Sequence, residues 1–394
     1  MHRPLVLAIL AAIAAAPGAE AHADDEGAGP TGAESADAAA SPAAAAVPTA
    51  ADPPTAAAPP AAAVASPPPA PSTRRRLAAI GAAIFPGVLV HGAGSFVLGE
   101  RRTAKRLLVV EGVGVAAAVL GAAAVGGTGG SPYAVWPGVP LALTGVGLFL
   151  PTWLADIWVA AGGERVRGGP RGTPPWSLEL SALGLRDPYR TRALAGAAAR
   201  VELGRLGLGA AGLLDAQGDA RTGELEARWR ICGAAAAAGP IAEGSRLFVR
   251  VAARYHRDDP DDVSLATAEA EVVLRAELRR LDPLLAGMFA QLSTGLGVER
   301  ATYARDAHDV GALLLGGFAW GAYLGRRGEV ALFYDHRRDN LAGGLFTGRA
   351  SGFVGSFGVG AQLAVAGPWG VRGEVQVGNA WVGTLALRYE GGSR

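Results

Sequence analysis

Cysteine is almost absent from this chain. Cys232 is the only one in 394 residues, which excludes an intramolecular disulfide, and its place between Trp229 and Gly233 suits a small wall or lumen residue better than a reactive thiol. Charge of one sign is missing too. Lys plus Arg number 36 against 35 Asp plus Glu, for a net charge of +1, and no stretch gathers enough arginine to neutralise phosphates, so a nucleic-acid partner is excluded. There is no Gly-x-Ser-x-Gly, no His-Glu-x-x-His and no Cys/His metal spacing, and no cofactor is expected. The acidic turn Asp258 to Asp262 lacks the spaced ligands of a calcium loop. Gly92-Ala93-Gly94 has neither a preceding strand nor a Lys-Ser/Thr ending, so it is no phosphate loop, and its glycines fit close helix packing instead.

Large apolar residues are nearly missing from Asp24 to Thr73, which is rich in Ala and Pro. Such a stretch cannot bury a core and reads as a disordered, partly polyproline spacer. Extended at about 3.1 Å per residue it reaches on the order of 100 Å, far enough for contact with a cell wall. Residues 1–23 before it read as a signal peptide: Arg3, an apolar run from Leu5 to Ala16, then Ala21-His22-Ala23 as a small-x-small cleavage site. No cysteine follows that site to accept a lipid.

Residues 74–162 change character. Three apolar stretches, Leu77 to Leu98, Leu107 to Val125 and Val135 to Ala161, each approach the roughly 20 residues that cross a bilayer as a helix. The last is interrupted by Pro137, Pro140 and Pro151. Ala and Gly outnumber Leu and Ile, so the expectation is a Gly/Ala-rich helical, membrane-associated segment whose helices pack tightly through small residues. Pro86-Gly87 to Leu98-Gly99 resembles the proline-glycine turn and short aromatic box of TM2-type two-helix membrane modules. That resemblance implies no activity. Residues 163–175 form a Gly/Pro/Arg linker.

From Trp176 to the end, apolar residues alternate with Arg, Glu and Gln for about nine to fifteen positions before each turn, the signature of a strand with one face in lipid and one in a polar interior. In Ser245 to His256 the odd positions hold Leu247, Val249, Val251, Ala253 and Tyr255, and the even ones Arg246, Arg250, Arg254 and His256. About eleven strands can be read, one of them Ala198 to Leu213. Barrels of this kind hold an even number, so either Tyr189 to Leu194 hides a strand, giving about twelve, or the first lies outside the wall, giving about ten. Trp176, Tyr255, Tyr303, Tyr323, Trp381 and Tyr389 fall near strand ends, as in an interfacial girdle.

The fold expected is mainly β: an antiparallel transmembrane β-barrel over 176–394, preceded by the helical segment. In its general pattern the chain resembles Gram-negative outer-membrane β-barrel proteins. Leu385, Leu387 and Tyr389 are similar to the last strand that barrel assembly machinery recognises, which implies that machinery and outer-membrane lipid as partners. The inward charges are expected to pair across a narrow lumen from facing strands, with Arg200, Glu202, Arg228, Arg230, Arg250, Arg254, Glu269, Glu271, Arg275, Arg372 and Glu374 as the network. Arg250→Ala is therefore expected to be milder than Val251→Arg. The role expected is structural or that of a narrow pore, in the outer membrane and not as an enzyme. Two alternatives stand beside it. One is an inner-membrane helical protein with a periplasmic β-domain; the other is a lipid hydrolase at the barrel rim. Tyr334 to Asn340, around His336, faintly resembles the neighbourhood of lipid A deacylase barrels, but no serine beside His336 offers a nucleophile.

Overall fold

The computed structural model describes residues 71–163, 168–170, 172–186, 190–233, 244–303, 307–336, 355–378 and 380–392. The expected signal peptide and nearly all of the expected spacer lie outside these. Twelve antiparallel strands form one closed barrel. They are β1 Trp176–Arg186, β2 Thr191–Leu203, β3 Leu206–Asp215, β4 Ala220–Gly233, β5 Arg246–Asp258 and β6 Val263–Glu277, then β7 Met288–Thr302, β8 His308–Tyr323, β9 Gly328–Asp335, β10 Ser356–Ala366, β11 Trp369–Val377 and β12 Trp381–Gly391. Closure comes from β1 pairing β12, with Trp176 opposite Gly391 and Arg186 opposite Trp381. A closed wall leaves no backbone donor or acceptor facing lipid unpaired, which is what lets strands live in a bilayer.

The count reaches twelve because the expected strand Ala198 to Leu213 is two. Leu203 faces Leu206 across a turn at Gly204 and Arg205, where Gly204 takes a φ of 64° that a side chain would resist. Of the suspected strand at Tyr189 to Leu194, Thr191 to Leu194 is the beginning of β2, and Tyr189 lies outside the described residues. Both termini of the barrel and the short turns at 204–205, 324–327 and 367–368 lie at one end. In barrels of this type that end is periplasmic.

Among the described residues, four helices precede the wall: α1 Thr73–Ile84, α2 Ala93–Leu98, α3 Arg101–Gly127 and α4 Pro132–Ala161. The first apolar stretch is thus two short helices around a turn, not one span. The other two are long and apolar enough to cross a membrane. They pack as an antiparallel hairpin whose seam is glycine: a Cβ on Gly121 would stand 2.5 Å from both Ala142 N and Gly138 O, and one on Gly114 2.9 Å from Gly145 O. Only backbones without side chains approach so closely. α4 runs unbroken through its three prolines. The Thr152 hydroxyl lies 2.8 Å from Phe149 O and 3.1 Å from Leu148 O, re-engaging carbonyls in the turn that Pro151 disturbs.

The hairpin leans on the outside of the barrel. A Cβ on Gly147 would come 2.6 Å from Leu292 Cδ2 and 2.8 Å from Phe318 Cβ, and one on Gly316 3.0 Å from Leu143 Cδ1. Leu292, Gly316 and Phe318 all belong to the outward parity of β7 and β8. At the periplasmic end Leu107, Ala155 and Val159 pack against Leu285 and Met288, and Arg106 Nη1 holds Asp282 at 3.0 Å and Leu281 O at 2.5 Å.

β1 begins on the far side of the barrel from β7 and β8, and the described residues between α4 and β1 touch the periplasmic mouth at both sides. Gly169 N–H donates to Gly325 O at 3.3 Å at the β8–β9 turn, while Glu202 N–H donates to Pro175 O at 2.7 Å at the foot of β2. Between these points a Cβ on Gly244 would meet Tyr323 Oη at 2.8 Å and Pro170 Cγ at 3.0 Å. Residues 168–170 and 172–175 thus form a strap over the mouth.

Candidate functional site

Strand alternation turns one side chain in two toward the interior, and the register fixes which. Arg250, Arg254 and His256 of β5 face inward, opposite Arg228, Glu224 and Thr222 of β4 and Glu271, Thr267 and Leu265 of β6. Arg250 is the hub. Its guanidinium reaches Glu226 at 2.6 Å, Glu224 and Glu271 at 2.9 Å and Glu269 at 3.3 Å. Arg254 shares Glu224 at 2.8 Å, Arg228 lies 2.6 Å from Glu226, and Arg200 reaches the same carboxylate at 3.5 Å. Arg200 can do so because the strand between them, β3, presents only Gly207, Gly209 and Ala211 at that height.

Two further groups stand elsewhere on the wall. Arg275 holds Glu329 at 2.6 Å, donates to Tyr323 Oη at 3.3 Å and lies 3.6 Å above the Phe289 ring. Arg372 bridges Glu179 at 3.1 Å and Glu374 at 2.9 Å. Arg230 turns away to the Gly204 carbonyl at the β2–β3 turn, and the Glu202 carboxylate sits over Gly207. Most of these pairs join adjacent strands or reach round the wall over small residues, while Arg275 of β6 passes over the Phe289 ring of β7 to Glu329 of β9; the sequence leads one to expect pairs that meet across the lumen. The reason is reach. Glycine and alanine on intervening strands leave a lateral path for a long side chain.

The outer half of the interior is different in kind and was not read from the sequence. Leu183, Leu185, Leu194 and Val382 have inward parity, yet they form a buried apolar cluster with Ala380. Val263, Leu265 and Ala301 form a second, with Tyr303 packed on it. Arg192 and Asp258 pair among them at 2.8 Å. The available signal was an unbroken parity that turns apolar in β1: Ser177, Glu179 and Ser181 are followed by Leu183 and Leu185.

Two girdle assignments need correction. Tyr323 is buried on the inner face against Arg275, and Tyr303 packs on the inner apolar cluster, because each has inward parity at its strand end. Outward aromatics are Trp176, Trp369 and Tyr389 at the periplasmic end, with rings 5.5 and 4.8 Å apart around Tyr389, and Tyr255, Tyr334, Phe357 and Trp381 toward the other. His336 pairs with Tyr334 Oη at 2.9 Å, and burial lowers its pKa. Arg337 to Asn340 lie outside the described residues.

A polar cluster also lies within the helices. Asp156 accepts from the N–H groups of Gly94 and Ser95 at 2.9 Å each and from the Ser95 hydroxyl at 2.6 Å. Glu111 accepts from His91 N–H at 2.9 Å, and His91 Nδ1 lies 2.7 Å from Thr152 Oγ1. Because the Thr152 hydroxyl directs its proton at a helix carbonyl, Nδ1–H is the donor to it and Nε2 bears the lone pair.

The wall therefore carries charge inside, aliphatic and aromatic side chains outside, and no open edge. It is an outer-membrane barrel. Known structures with a similar barrel include Omp33 of Acinetobacter baumannii (7% identity, TM-score 0.29, covering 55% of this chain and 98% of that one). The NanC porin (6%, 0.35, 54% and 98%) and the β domain of the Bordetella autotransporter BrkA (12%, 0.31, 56% and 99%) are others. The closed twelve-strand wall and its two contrasting faces place the protein in the outer membrane. No family description matches the sequence, and no curated protein does.

Proposed function

We propose that this barrel serves as a structural wall or a narrow, weakly selective pore whose interior is lined by paired arginine and glutamate. The observation that carries the reading is the course of the ion pairs. They run round the wall, so they rigidify it without bridging the lumen, and Arg200 and Arg372 keep 37% and 39% of their side chains accessible. Mixed signs at close quarters favour neither cation nor anion strongly. The apolar cluster toward the outer end supports a narrow passage, since an apolar constriction sheds water.

The test is reconstitution of the whole protein in planar bilayers. The expected result is no stable channel or only small, weakly selective ones. Large porin-like openings in the unmodified protein would overturn the reading. Barrel assembly machinery and outer-membrane lipid belong to the same proposal, as does contact of the N-terminal spacer with a cell wall.

A further inference from the structure

One group of arginines near the periplasmic mouth is short of acidic partners. The Glu226 carboxylate is shared by Arg200, Arg228 and Arg250. Arg250 has three other carboxylates; Arg200 and Arg228 have no other ion pair among the described residues. Arg246 has none there at all. Its guanidinium lies 5.9 Å from the Phe248 ring centre, with Arg228 at 5.7 Å from the same ring. Directly opposite Arg246 in the ladder stands another cation, Arg275, already engaged by Glu329. Like charges in that position repel. The Nε atoms of Arg200 and Arg246 are buried without a hydrogen-bond partner, which costs free energy in any folded chain.

We propose that Arg200, Arg228 and Arg246, grouped around Glu226 and Phe248 on the inner face of β2, β4 and β5, bind a tetrahedral oxyanion, specifically a phosphate group. Three guanidiniums on three strands offer donors in different planes, which suits a tetrahedral anion with three or more acceptor oxygens. A carboxylate presents two oxygens in one plane and would leave one arginine unused. The surplus of arginine over the single shared carboxylate also favours a doubly charged ligand over chloride. Phe248 takes two of the guanidiniums by their faces, which leaves the N–H edge of Arg246 free to donate, while Arg228 gives Nε and Nη2 to Glu226 and keeps Nη1 for the ligand.

The experiment uses the full chain folded in detergent, with barrel unfolding followed by heat-modifiable gel mobility. Sodium phosphate is compared with sodium chloride at equal ionic strength, and dihexanoyl phosphatidic acid is added in a second arm. A ligand that binds the folded barrel alone raises the unfolding temperature as it saturates. Phosphate is expected to raise it where chloride does not, and a response confined to the phosphatidic acid arm would assign the same site to a lipid headgroup. Arg246→Gln and Arg200→Gln should each weaken the half-saturating concentration by about tenfold or more. Arg246→Gln should at the same time raise the midpoint without ligand, because it removes a charge facing Arg275; an arginine of merely structural value would lower it. A wild-type protein that responds to neither ligand, or variants that both keep the full response, would overturn the proposal. The readout needs no ion flow, so a barrel that fails to conduct leaves the site standing.

Discussion

Arg250 is the residue on which the interior turns. Removing it takes away the one cation that Glu224, Glu226, Glu269 and Glu271 share, and four clustered carboxylates then repel one another even though Arg254 still holds Glu224 and Arg228 and Arg200 still hold Glu226. The structure thus reverses the order read from the sequence. Arg250→Met should cost about 3 to 5 kcal/mol, at least as much as the about 2 to 4 kcal/mol of an arginine placed in lipid by Val251→Arg. Urea unfolding of the two variants in lipid vesicles measures both. A second prediction belongs to His91. Burial pulls its pKa below the ordinary 6.5, an effect partly offset by Glu111 and Asp156. A depressed histidine is neutral when folded, so its contribution to stability is full above the unfolded value and is lost as the pH falls through the folded one. Hydrogen exchange around 91–111, corrected for intrinsic rates, should show weaker protection at about pH 5 than at pH 7.5. His91→Gln should flatten that difference.

Elements were legible to the degree that one face of each met lipid. β5 and β6 alternate so regularly that their inward residues can be read from parity. β2 and β3 could not be separated, because alanine, glycine and leucine occupy both faces there and the Gly204-Arg205 turn carries no proline or asparagine. Pair identities were hidden for another reason. Arg275 with Glu329, and Arg372 with Glu179, join strands far apart in sequence, and no periodicity within either strand shows that reach. The hairpin of α3 and α4 has a similar ambiguity, since an apolar helix reads alike whether it faces lipid, another helix or a wall. Its glycines decide the matter and offer the prediction. Gly121→Leu should part α3 from α4, and Gly147→Leu should part α4 from β7 and β8, each at about 1 to 3 kcal/mol or more of overpacking. The far-ultraviolet helical signal should then melt earlier, while heat-modifiable mobility of the barrel stays as it was.

Across the whole molecule the interior divides into a charged periplasmic part and an outer part in which apolar clusters surround the buried Arg192–Asp258 pair. That division predicts where resistance to ions lies. Leu185→Asp puts a charge into the apolar cluster at a buried point, so it should raise single-channel conductance and lower thermal stability together. A comparable change outside the wall, Leu180→Asp, should impair assembly without opening a path.

The strap over the periplasmic mouth, with the hairpin on the far wall, also fixes an order of events during biogenesis. The hairpin emerges before the barrel in the chain, yet its seat on β7 and β8 does not exist until much later in the sequence, and β1 must wait for β12. Both contacts join distant parts of the chain, so contact order is high and folding is slow. In the interval two apolar helices have no wall to lean on, and exposed apolar faces of that kind are prone to aggregate. Their glycine seam lets them cover one another first, which makes the hairpin its own escort until the wall closes and the strap is drawn across the mouth.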